Sequence, residues 1–291
     1  MPKLYVVATP IGNLSDLTPR MREALERADL IAAEDTRVTM KLLNHLDLKK
    51  PLVSCHRHNE ENRAPQLIER MLCEDLTVAL TCDAGTPGIS DPGHLLVRAA
   101  WEAGVPVEPV SGPSAVVTAL SASGFDAREF AFYGFLPREK KALREKLTSI
   151  RSAGPSVAVL YESPHRVAGL VAEIAALWPE CGLCACCDLT KRFERIDRGS
   201  AAEVLEALRA NPNVEKGEYC LVIDLSSLPP LDKPAAQIDA AQFVLGRMLD
   251  GAPLAEAVNA AREAGYPRNE LYRARLRIAE LLESTGNPGE R

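Results

Sequence analysis

Between residues 3 and 225, short apolar runs alternate with amphipathic segments, and this alternation restricts the fold more than any other feature of the chain. "KLYVVA" (3–8), "LIAAE" (30–34), "LTVALTC" (76–82) and "VPVEPV" (105–110) read as strands. Helical periodicity fits Arg20 to Arg27, Thr39 to Asn44, Glu60 to Met71, His94 to Trp101 and Pro113 to Ser121. Strands alternating with helices predict an α/β domain built on a largely parallel sheet. Proline lacks the amide donor that a central strand needs, so "VPVEPV" is expected at a sheet edge or broken.

A second alternating set begins near Phe130, with strands at 130–136, 156–162, 183–189 and 218–225. Its helices are Arg138 to Ile150, Pro164 to Leu177 and Ala201 to Ala210. "SSLPPLDKPAAQ" (226–237) is proline-rich and polar, which suits a linker. Beyond it Ala240 to Leu249, Leu254 to Ala264 and Asn269 to Leu282 are helical patterns without a strand, Asn269 being placed to cap the last. The chain therefore divides into an α/β domain at 1–125, a second at 126–228 and a helical module at 238–291.

Composition narrows the setting. No apolar stretch approaches a membrane span, and the start "MPKLYVVATP" has no secretory pattern, so a cytoplasmic protein away from membranes is expected. Its eight cysteines are then reduced. Four of them crowd into "CGLCACC" (181–187), where zinc would need ligand pairs on separate turns. Within an apolar strand they read as buried thiols, and no metal is expected. A net charge of −6 argues against a general nucleic-acid coat, yet 137–146, 191–198 and 266–277 are locally basic. Solvated helix faces would account for any one of these segments alone.

The loops that follow strands are the unusual parts. "ATPIGNLSD" (8–16), "EDTR" (34–37), "DAGTPGISDPG" (83–93) and "SGPSA" (111–115) come where a parallel sheet gathers its ligands, beyond the carboxyl ends of the strands. No GxGxxG opens a helix and no Walker lysine is present, so dinucleotide binding and nucleotide hydrolysis are excluded. Backbone amides, small hydroxyls and Asp83 suit a ligand with a purine, a ribose and an amino-acid end.

"LYVVATPIGNLSDLTPRMREALERADLIAAEDTR", "DAGTPGISDPG", "VSGPSAVVTALSASG", "FYGFLP", "LYESPHR" and "KGEYCLVI" together resemble the small-subunit ribosomal RNA methyltransferase I family, over nearly the whole chain. The resemblance implies an α/β, two-domain tetrapyrrole-methylase-like (class III methyltransferase) fold with a small C-terminal helical module. It further implies S-adenosylmethionine in a cleft between the domains and 2′-O-methylation of a decoding-centre cytidine in 16S rRNA. The partner would be 16S rRNA or the small ribosomal subunit, and relatives are commonly homodimers. A tetrapyrrole methylase and a non-catalytic ribosome-assembly factor are the rival readings. One departure stands out: family members usually read arginine-glutamate before "LTK", where this chain has Cys187 and Asp188, with Arg192 as the nearby guanidinium.

Donor contacts are expected from Pro10, Asp83, Ala84, Gly85, Thr86, Ile89, Ser114 and Ala115, while Asp91 to Gly93 simply start the next helix. A base near the ribose hydroxyl would come from Glu34, Asp35 or His58, with an Asp35–Arg37 ion pair as the plainer reading of that aspartate. Strand alternation in "SCHRHNEEN" would put His56 and His58 on one face. Arg166, Lys191, Arg268, Arg273 and Arg277 are the expected RNA contacts, with Ser163 as cap and Pro164 as first residue of the Arg166 helix.

Overall fold

The computed structural model describes residues 1–228 and 239–285. Two compact units result, Met1–Pro229 and Pro230–Arg291. Most of the expected linker, from 229 on, and the last residues of the helical module lie outside the described residues.

The first sheet holds β1 (Lys3–Val7), β2 (Leu30–Ala33), β3 (Leu52–Ser54), β4 (Thr77–Thr81) and β5 (Val107–Val110) in the order β3-β2-β4-β1-β5. All four pairings are parallel, and the proline-bearing β5 takes an edge, where its missing donor costs no ladder bond. Helices α1 (Pro19–Arg27) and α2 (Thr36–His45) pack on one face through Met21, Leu25, Leu42 and Leu43. On the other face α3 (Glu60–Glu74) and α4 (His94–Glu102) bury Leu67, Met71, Leu96 and Ala100. Thr18 caps α1, and Asp35 caps α2 by accepting the Arg37 N–H at 2.8 Å.

The next helix, α5 (Ala115–Ser123), leaves its own sheet and lies on the second. That sheet runs β6-β7-β10-β8-β9, from β6 (Phe130–Phe135), β7 (Val157–Glu162), β8 (Gly182–Cys187), β9 (Arg195–Ser200) and β10 (Tyr219–Asp224). Only β6 and β7 pair in parallel; the other three pairings are antiparallel. Helices α6 (Lys140–Ala153), α7 (Pro164–Leu177) and α8 (Ala201–Ala210) cover one face. Val116, Ala119 and Leu120 of α5 fill the other, against Val157, Val159, Cys184, Cys186 and Cys220. The cysteine run thus serves as small apolar filling, with all four thiols of 181–187 buried.

Two local expectations are corrected. Residues 195–198, read as part of a basic helix face, belong to the edge strand β9, whose charged side chains suit a strand with one unpaired side. Asn269 does not cap the last helix, because α11 (Arg268–Thr285) begins one residue earlier, after Pro267. The second unit is built from α9 (Ala240–Leu249), α10 (Leu254–Glu263) and α11 around Val244, Ala257, Ala261, Leu271 and Ile278.

Candidate active site

The loops that leave β1 and β4 are stitched together. Thr9 and Gly85 exchange both backbone hydrogen bonds, at 2.8 and 3.0 Å, and Thr9 Oγ1 donates to Cys82 O at 3.1 Å. Gly85 holds φ at +79°, a conformation that suits glycine, and this turns the backbone of 84–86 outward. A second stitch fixes the far end of the same loop. Glu60, 2% exposed, accepts hydrogen bonds through Oε1 from Gly93 N at 2.8 Å, Leu95 N at 2.8 Å and Leu96 N at 3.4 Å. A carboxylate at the positive end of α4 is favoured by the helix dipole as well as by the three bonds.

Between these loops and the second sheet lies a cavity of about 350 Å³. Ala84, Gly85, Thr86, Ile89, Ser114 and Ala115, all expected at a donor site, line it. Pro10 does not, its neighbour Ile11 doing so instead, and Asp83 also stays outside the lining. Residues that sequence reasoning missed complete the walls. Asp91, assigned to a helix start, lines the cavity, and the second sheet contributes Phe135, Tyr161 and Glu162, with Glu218 just ahead of β10. For Glu162 a signal existed, since "YES" closes a strand just as the first-sheet loops do.

Three carboxylates line the cavity, from Asp91, Glu162 and Glu218, and no lysine or arginine does. Such a lining suits a cationic ligand. Two of the three are already paired: Glu162 lies 3.0 Å from Arg166 Nη2, and Glu218 lies 2.7 Å from Lys191 Nζ. Asp91 forms no ion pair among the described residues. Burial first, then the neighbouring Asp83, push its pKa above the ordinary carboxyl value, against the pull of Arg57.

The expected bases stand outside the lining, in a chain of their own. Asp83 N donates to Glu34 Oε2 at 3.2 Å, and Asp35 N donates to Asp83 Oδ1 at 3.1 Å, so these carboxylates brace the ends of β2 and β4. Burial raises the pKa of Glu34 and of Asp83. Asp35 is the opposite case: hydrogen bonds from Arg37, with Nη2 at 2.6 Å, bring it down to about 2. His58 is exposed in the turn before α3, and β3 ends at Ser54, so the turn rather than strand alternation brings its ring within 6.1 Å of that of His56. The Asn59 side chain forms that turn by accepting from His56 N at 2.8 Å. No group of three or more His, Cys, Asp or Glu able to hold a metal ion occurs among the described residues.

Two of the five cations expected on RNA, Arg166 and Lys191, are engaged within the protein. Arg166 Nη2 donates to Leu136 O at 3.0 Å and Pro137 O at 3.3 Å besides pairing with Glu162. Lys191 bonds Asp188 at 2.9 Å as well as Glu218, and its stem lies so close over Gly12 that a Cβ there would sit 2.4 Å from Lys191 Cγ. Burial pulls its pKa down, yet Glu218 and Asp188 outweigh that and leave it raised. Asp188, at the departure from the family pattern, therefore anchors a strut between the loops after β1 and β8. Replacing Lys191 by methionine is expected to lower stability by about 1 kcal/mol and Arg166 by about 3 kcal/mol, since the latter leaves the buried Glu162 carboxylate without its cation; neither should change the salt dependence of RNA binding. Urea unfolding and RNA titrations at several salt concentrations check this; a slope reduced by about one would mark a phosphate contact instead. Ser163 does precede α7 with Pro164 at its start, but its hydroxyl caps no helix N–H; it sits 3.4 Å from Glu162 Oε1.

The pattern of two α/β halves around such a cavity is that of a methylase class: residues 3–205 match the family model of tetrapyrrole (corrin/porphyrin) methylases. Solved structures agree in fold, among them diphthine synthase (TM-score 0.57, 16% identity, covering 77% of this chain and 89% of that one). Another is a uroporphyrin-III C-methyltransferase from Thermus thermophilus complexed with S-adenosyl homocysteine (TM-score 0.52, 19% identity, 77% and 98% covered). Closer in sequence are proteins named ribosomal RNA small subunit methyltransferase I. That of Xylella fastidiosa is 39% identical, over 92% of this chain and 97% of its own. That of Halalkalibacterium halodurans is 40% identical (92% and 93%), and that of Escherichia coli O157:H7 39% (94% and 94%). The chain belongs to the ribosomal RNA small subunit methyltransferase I family.

Proposed function

We propose that this protein methylates the ribose 2′-hydroxyl of a decoding-centre cytidine in 16S rRNA, using S-adenosylmethionine, and that it works as a cytoplasmic homodimer. The observation that carries the reading is the carboxylate-lined cavity of about 350 Å³ at the converging strand ends, in a chain of this family. The size is within the range of small-molecule sites, and the charge complements a donor that is cationic at both sulfur and ammonium. When bound, that donor supplies a methyl group already activated on a sulfonium.

The chain's own residues then have three tasks. The backbone of Ala84 to Thr86 with Ser114 and Ala115 holds the donor through amides, carbonyls and small hydroxyls, while Ile11, Ile89 and Leu189 exclude water. The walls must hold the ribose oxygen about 3–3.5 Å from the carbon it attacks, a matter of positioning. Asp91, whose carboxylate has no cation partner among the described residues, accepts the hydroxyl proton at an oxygen. Glu34, Asp35 and Asp83 support the loops from behind.

The RNA is held partly by the helical unit, in which Arg268, Arg273, Arg275 and Arg277 are all exposed along α11, beside Tyr272 at 66% exposure. Replacing Arg268, Arg273 and Arg277 together by alanine should weaken rRNA binding and reduce the salt slope by about 2–3. An unchanged slope in a filter-binding titration would remove α11 from the interface. The function itself is read from cells: rRNA from a strain lacking this gene should lose one 2′-O-methylcytidine by mass spectrometry, restored by the gene. An identical methylation pattern in both strains would refute it.

A further inference from the structure

Beside the donor cavity lies a second, of about 650 Å³, that shares Ile89, Ser90, Asp91 and Phe135 with it. We propose that this second cavity is the acceptor subsite: it seats one nucleotide of the RNA, the base stacked on Phe135, the phosphate on Arg57, and the ribose turned to the shared wall. This rests on the rRNA methylation reading and specifies where and how its substrate enters.

The backbone shows that the aromatic wall is built on purpose. Along β6 the register against β7 slips: Phe132 pairs with Val159, but Gly134 pairs with the next residue, Leu160, leaving Tyr133 as the extra residue of a β-bulge. A bulge reverses the side-chain alternation beyond it. In a regular strand Phe132 and Phe135 would point to opposite faces; here both reach the Tyr161 ring, with centroids 4.9 and 5.8 Å away. Gly134 makes the bulge possible at φ +60°, and Ser90 Oγ would lie 3.5 Å from any Cβ placed there. The donor loop is thereby packed against the bulge itself. Phe135 rests against Tyr161 on one side and is left 59% exposed on the other, at the junction of the two cavities.

Charge selects the occupant. Arg57 Nη2 donates to Ser90 O at 3.0 Å, which fixes the side chain, and it forms no ion pair among the described residues. A guanidinium so held has further N–H groups for a phosphate. The lining otherwise offers the Asp91 carboxylate, the Tyr133 phenol and His94, whose Nδ1 lies 3.9 Å from Glu60 Oε2. A single arginine matches a single phosphodiester and falls short of the many carboxylates of a uroporphyrin. An aromatic face beside an arginine is also how single-stranded RNA is held without reading its sequence.

Three substitutions test the subsite. Phe135→Leu keeps an apolar wall for the donor but has no ring, so the KM for rRNA should rise roughly 10-fold, as for a lost base stack. Phe135 also lines the donor cavity, so S-adenosylhomocysteine affinity is measured alongside by calorimetry: the rise in KM for rRNA should exceed any loss of donor affinity, and Phe135→Trp should restore the KM. Arg57→Ala should raise the KM and reduce the salt slope by about one. A readout independent of turnover is fluorescence: a cytidine-containing oligonucleotide should quench Phe135→Trp well beyond the background of Trp101 and Trp178 seen in the unsubstituted protein. A Leu variant with unchanged KM, or an oligonucleotide that binds without quenching, would overturn the subsite while leaving rRNA methylation standing. Absence of methyl transfer to rRNA by the unsubstituted protein would instead refute the functional reading, with quenching still deciding the subsite.

Discussion

Asp91→Asn is expected to lower the rate of methyl transfer about 100-fold or more, the effect of losing a positioned proton acceptor. It should also make the protein more stable at neutral pH. Both results follow from one carboxylate that lines both cavities and pairs with no cation among the described residues. Because burial raises its folded pKa above the unfolded value, its contribution to stability is fully present below the unfolded pKa. That contribution is lost as pH rises through the folded pKa, and the neutral asparagine escapes the loss. Activity runs the other way: the carboxylate form accepts the proton, so the rate should fall as pH drops through that raised pKa. The acid limb should disappear in Asp91→Asn. Single-turnover rates followed from neutral pH down through the carboxyl range, with melting temperatures on the same samples, read both effects. A variant with the rate and acid limb of the wild type would remove Asp91 from the chemistry.

The second large effect concerns Glu60, which lies outside both cavity linings. Glu60→Ala strands the N–H groups of Gly93, Leu95 and Leu96 that its carboxylate satisfies. The expected cost is about 3 kcal/mol, since hydrogen bonds to a charged group are the strong ones and the donors left behind are buried or partly so. In a unit of this size the melting temperature should fall by roughly 6–12 °C. Loosening the end of the 83–93 loop should also weaken S-adenosylhomocysteine binding at temperatures where the variant is still folded. Glu60→Gln, which keeps an acceptor oxygen, should lose about half as much. A Glu60→Ala protein within 0.5 kcal/mol of wild type in urea unfolding would show that the α4 amides find other partners.

The first half of the fold was readable because its signals are local: apolar runs of strand length, amphipathic helices and a proline that marks an edge. β9 was hidden because "RIDRGS" has no apolar run, and an edge strand exposed on one side can be charged throughout. The destination of α5 was equally hidden, since an apolar helix face does not say which sheet it will cover. Loops read as donor-binding do converge, but the roles of single residues depended on neighbours distant in the chain. Arg166 and Lys191 are surface cations in sequence and become struts once Glu162, Asp188 and Glu218 are beside them. Asp91 reads as the start of a helix until Glu60, some thirty residues earlier, is seen to occupy that helix terminus instead. The bulge at Tyr133 left its trace only in "FYGF", a glycine within an aromatic strand.

The most direct test of the central claim is transfer of a labelled methyl group from S-adenosylmethionine, offered in parallel to assembled small subunits, naked rRNA and uroporphyrinogen. The account predicts label on rRNA, in a dinucleotide that resists alkaline hydrolysis because the ribose 2′-oxygen is blocked. Label on the tetrapyrrole with none on RNA, or binding to the subunit without any transfer, would contradict it.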